Sequence, residues 1–177
     1  MTYLIFVRHG HKSWVEGDQE DCTVYKNQIK HDPALIDVGL EQASRVGSYF
    51  KRRLEAVQKE YGITFNEVRV ESSPFLRCLQ TASKTAQELG LPIHVEYRVC
   101  EPLTPVLVGT HDGDLFESLD LKTSGAEKLQ EQALGGTVIH DTDEWYEEAR
   151  ALYPELPVSK VSKRINLIGD HYKNKHA

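Results

Sequence analysis

Apolar positions along the chain switch between a period of two to three residues and a period near 3.6, and the switching predicts strands alternating with helices. Leu4 to Val7 is a short continuous apolar run rich in β-formers, which predicts a buried strand. Trp14 to His31, with Gly17, Asp18, Glu20, Asp21 and Asn27, and Asp32 just after, reads as a long polar loop. Leu40, Ala43, Val46, Gly47, Phe50, Leu54 and Val57 then recur at threes and fours, which predicts an amphipathic helix closed by Gly62. Val68 and Val70 predict a second strand. Ser72-Ser73-Pro74 follows, and its hydroxyls and proline suit the start of a helix. That helix carries Phe75, Leu79, Ala82, Ala86 and Leu89 on one face and stops at Gly90. Ile93 to Tyr97 predicts a third strand, Leu103 to Gly136 a substrate-side insertion, and Val161, Ile165, Ile168 and Tyr172 a closing helix.

Strands joined through helices of these lengths imply right-handed crossovers and a mostly parallel sheet covered on both faces, a three-layer αβα arrangement. The 177 residues suit a single domain, 1–177. In such folds function gathers beyond the carboxyl ends of the strands. Arg8, His9 and Gly10 follow the first predicted strand, Ser72, Ser73 and Arg77 the second, and Glu101 the third. Two guanidiniums, an imidazole and a carboxylate are therefore expected on one rim.

Composition narrows the chemistry. A formal charge of −6 argues against a nucleic-acid surface, because a phosphate backbone rewards clustered cations. A local basic pocket for one phosphate is unaffected by that argument. Nothing approaches membrane-spanning length, and the run after Met1 is too short for a signal-peptide core. Cys22, Cys78 and Cys100 are few and lack metal-ligand spacing, which fits free thiols in a reducing compartment; the cytoplasm is the expected location, with the mitochondrion as the alternative.

Paired arginines match phosphate oxygens with planar forks of donors. An imidazole beside them can attack phosphorus as the neutral base. Gly10 allows close backbone approach, and Glu101 can protonate the leaving oxygen if burial keeps part of it protonated. This scheme needs no cofactor and no metal. The structural alternative has Arg77 merely pairing with Glu71 or Glu101.

"VRHG", "DPALIDVGLEQA", "ESSPFLRCLQTA" and "CEPL", in this order, resemble the histidine phosphatase superfamily, the phosphoglycerate-mutase-like proteins, over about the first two-thirds of the chain. "CEPL" and the long loop after "VRHG" look closer to its broad phosphatase branch than to the glycolytic mutases. The resemblance implies that His9 is the phosphorylated nucleophile, that Arg8 and Arg77 hold phosphate, and that Glu101 is the proton donor. It implies a phosphorylated small molecule, a phosphoprotein or inorganic phosphate as partner.

The sequence also departs from the family. Ile36 stands where threonine is usual, leaving Asp37 as the substitute helix cap, and His11 replaces an acid or amide. The family's second catalytic histidine follows a last core strand in a "VSHG"-like stretch, which has no counterpart here. "INLIGDH" can be forced into that strand, with His171 as the second histidine, but the helical reading fits the periodicity better. The expected fold is thus C-terminally truncated, and a protein partner covering the incomplete sheet is a corollary. Two functions follow: a phosphomonoesterase working through His9, or a non-catalytic phosphatase-like subunit serving as a binding or scaffold component of a larger assembly.

Overall fold

A computed structural model describes residues 4–12, 32–100, 135–140 and 158–175. Its elements in chain order are α1 (Asp37–Tyr61), β1 (Val70–Ser72), α2 (Leu76–Leu89), β2 (Ile93–Val95), a 3₁₀ turn (Tyr97–Val99), β3 (Val138–His140) and α3 (Val158–Lys175). The three strands lie in the order β1-β2-β3, and both pairings are parallel, with Val70 opposite Ile93 and Ile93 opposite Val138. The α/β class and the parallel sheet are as the sequence predicts. The expected insertion lies almost wholly outside the described residues.

The core forms where α2 lies on this sheet. Phe75, Leu79 and Ala86 of the helix side meet Ile93, Val95, Tyr97 and Cys100, with Val70 and Val138 packed at the margin. Ile93 and Leu79 are sealed from solvent, and each such side chain contributes about 1.5–3 kcal/mol of burial. On the other side α2 meets α1, whose buried Gly39, Ala43 and Gly47 are four apart and so on one helix face, with Gly47 against Lys84 and Thr85 of α2. A Cβ at Gly47 would fall 2.8 Å from the Lys84 carbonyl oxygen, so the two backbones are in near contact.

Helices α1 and α2 stop where glycine predicts. Gly62 and Gly90 adopt the left-handed conformation at φ 60° and 68°. The helix starts differ from expectation. Ile36 and Phe75 occupy the N-cap positions, and neither start has a side-chain cap from its own N-cap residue. Asp37 sits in the first turn of α1, where its charge faces the positive end of the helix dipole instead of capping it. The Ser72 hydroxyl donates to the carbonyl of Ser73 (2.9 Å) and is not the cap of α2. That role falls to Asp32, whose Oδ1 accepts from the Leu76 N–H at 2.7 Å. Asp32 is accordingly buried and is not part of a solvated loop.

One further reading is corrected. Leu4 to Val7 forms no strand: the four side chains are exposed, Phe6 by 79%. An apolar run becomes a strand only where a ladder partner accepts it, and β1 pairs with β2 through its described edge. "INLIGDH" lies inside α3, as the periodicity predicts, and His171 stands on that helix. Helix α3 is tied to β1 through Tyr172, whose hydroxyl donates to Glu71 Oε2, while Glu71 Oε1 pairs with Arg69 at 2.8 Å. Among the described residues no helix is long and apolar enough to cross a membrane.

Candidate active site

The loop that carries Arg8, His9 and Gly10 is held by α1 and α2. Gly10 donates its N–H to Thr81 Oγ1 of α2 (3.1 Å), and His11 donates its N–H to Gln42 Oε1 of α1 (2.9 Å). The His11 carbonyl accepts from the Ile36 N–H (3.1 Å), Lys12 makes a single antiparallel bridge with Leu35, and Leu35 donates to Gln80 Oε1 (2.6 Å). Gln80 is fully buried, so its amide replaces backbone pairing that no strand provides. Gly10 and Gly39 meet backbone to backbone: a Cβ on Gly10 would overlap the Gly39 carbonyl, and one on Gly39 would overlap the His11 carbonyl. Glycine is required here by close approach.

His9 is half-buried, and its Nδ1 lies 2.7 Å from the carbonyl oxygen of Gly10. A carbonyl only accepts, so Nδ1 carries the proton and Nε2 keeps the lone pair in the neutral ring. Burial pushes the imidazole pKa down, and the charges of Arg77, Lys12 and Arg8 push it further the same way; the bond to Gly10 opposes them without prevailing. The result is a neutral imidazole among three cations.

Arg77 comes to this ring from the first turn of α2 and is almost wholly buried. Its carbon Cζ stands 4.4 Å over the Phe75 ring, a cation–π arrangement. Its Nη1 is 3.5 Å from Asp32 Oδ1, beyond direct hydrogen-bond length, so the pair is held by charge. Asp32 thus pairs with Arg77, while Glu71, one of the alternatives, pairs with Arg69. Arg8 is exposed beside His9, and Glu101 lies outside the described residues. Among the described residues no three His, Cys, Asp or Glu side chains gather as metal ligands do.

Asp32, Gln42, Gln80 and Thr81 are site-forming residues that sequence reasoning did not single out. Thr81 stands one helical turn beyond Arg77 and so on the same face, which is the one signal that pointed to it. Asp32 gave none, since its burial depends on a helix far along the chain.

A buried arginine on α2 and a half-buried histidine on a loop held by α1 and α2 are thus set within one α/β fold. The sequence profile of the histidine phosphatase superfamily (branch 1) matches residues 4–120, and the chain belongs to that superfamily. Among solved structures the chain is similar to the ecdysone phosphate phosphatase of Bombix mori in complex with tungstate, with 18% identity, coverage of 75% of this chain and 69% of that one, and a TM-score of 0.35. No curated protein matches it.

Proposed function

We propose that the protein is a metal-independent phosphomonoesterase that works through a phosphohistidine on His9. The observation that carries this reading is the Nδ1 contact to the Gly10 carbonyl, which leaves the other ring nitrogen as an unprotonated nucleophile in a cationic setting. Arg77 and Arg8 hold the phosphoryl oxygens, and Gly10 lets the backbone approach. The Nε2 lone pair attacks phosphorus, the P–O bond to the leaving group breaks, and Glu101 gives its proton to the departing oxygen. Water then attacks the phosphohistidine, Glu101 takes a proton from it, and inorganic phosphate leaves. Phosphorylated small molecules and phosphoproteins are the substrate classes.

Hydrolysis of an aryl phosphate tests the proposal. Wild-type protein turns it over, and His9→Ala loses at least about a thousandfold in kcat/KM; equal turnover by the variant would remove the proposal. The second reading is a non-catalytic phosphatase-like subunit of a larger assembly. It draws on the position of His171 within helix α3. Loss of a second preorganised donor costs about a hundredfold or more in rate. Phosphate binding by the wild-type protein without turnover would favour this reading.

A further inference from the structure

We infer that Thr81 is a positioning residue that sets His9 and Arg77 in one geometry; the inference rests on the phosphatase reading above. Its hydroxyl donates to the Arg77 carbonyl one turn back (2.9 Å) and accepts from the Gly10 N–H (3.1 Å). A hydroxyl has a single hydrogen, and the Arg77 carbonyl takes it. An oxygen lone pair is therefore left to accept from the peptide N–H that follows His9. One buried atom thus joins the turn bearing the arginine to the loop bearing the imidazole, although 71 positions separate Gly10 from Thr81.

The same residue, Gly10, anchors the imidazole through its other peptide. The Gly10 N–H is fixed by Thr81, and the Gly10 carbonyl receives the proton of His9 Nδ1. Gln42 holds the next N–H, of His11, but from α1 and at an exposed position. Thr81 alone among these groups touches both arms of the site through one atom. A hydroxyl in this place needs an acceptor and a donor together, so serine can replace it and valine, of the same shape, cannot.

The experiment compares wild type, Thr81→Val and Thr81→Ser by amide hydrogen exchange at Gly10, by thermal midpoint and by aryl phosphate kinetics. In T81V exchange at Gly10 accelerates about tenfold or more and kcat/KM falls by a similar factor, while T81S restores both. A general loss of packing would lower the thermal midpoint and speed exchange throughout α2 as well; here the change is confined to the loop. Wild-type exchange at Gly10 in T81V overturns the inference, as does unaltered kcat/KM despite faster exchange. Absence of turnover in the wild-type protein counts against the phosphatase reading instead. In that event exchange at Gly10 decides for or against Thr81 as the residue that fixes the loop. Should T81V not fold, T81A is read in the same way.

Discussion

Surroundings and tautomer together leave the imidazole of His9 neutral, with Nε2 unprotonated. Its pKa is lowered by burial first and by neighbouring cations second. Protonation is therefore disfavoured in the folded protein relative to the ordinary value of about 6.5. Under the phosphatase reading, kcat/KM rises with pH as this ring loses its proton, and the midpoint of that acid limb falls below about 6.5. A pH–rate profile checks it, and a limb at or above the ordinary value would contradict the assignment. The same shift has a stability consequence of defined sign. Between the folded and unfolded pKa values the unfolded chain binds more protons, so His9 costs stability as pH falls through that window and costs nothing above it. Arg8, His9, Gly10 and Arg77 could be picked out in the sequence because charged residues and a glycine directly after apolar runs are conspicuous. Asp32 could not, since an acid among polar loop residues looks solvated until the helix it caps and the arginine it faces are in place.

Helices were the most readable elements, because α1 and α2 carry long 3.6-period stripes that end in glycine. Strands were less so. Each described strand has three residues, too few for a period to declare itself, and β3 follows Gly135 and Gly136, which look like loop. The error at Leu4 to Val7 has the same root: apolar character says nothing of whether a ladder partner is present. The caps failed for another reason, namely that a cap supplied from a remote segment, as Asp32 does for α2, leaves no local mark. The contact between α1 and α2 supports a prediction at this scale. Gly47→Ala gains about 1 kcal/mol of helix propensity. Its methyl group, however, meets the Lys84 carbonyl and Thr85 Cα, which are backbone and cannot swing away. Overpacking of this kind costs about 1–3 kcal/mol, so the net effect is destabilisation or, at the least, no gain. Urea unfolding measures it, and a clear increase in stability would show that the helices separate at little cost.

At the scale of the whole molecule, the sequence disclosed the α/β class and the gathering of cations, and the family match over residues 4–120 agrees with the class. It did not disclose how the gathering is achieved. The loop at His9 does not emerge from a strand tip; it is carried on side chains of α1 and α2, by Gln42, Gln80 and Thr81. Such a site exists only when distant parts of the chain have met, and a ligand that requires it binds the native state alone. Inorganic phosphate should therefore raise the thermal midpoint, by an amount equivalent to about 2.7 kcal/mol at a hundredfold excess over Kd. Arg8→Ala, a change at an exposed position, should shrink that rise without lowering the midpoint of the unliganded protein. Calorimetric scans with and without phosphate provide the comparison, and an undiminished rise in the variant would free Arg8 from the anion site. The meeting of Gly10 with Gly39 carries a different implication. Where two main chains touch with no side-chain carbon between them, there is nothing to trim or enlarge by small steps. Under the phosphatase reading, adaptation to a larger or smaller substrate must then come from residues other than these two glycines, which hold the main chain next to the imidazole at a fixed height.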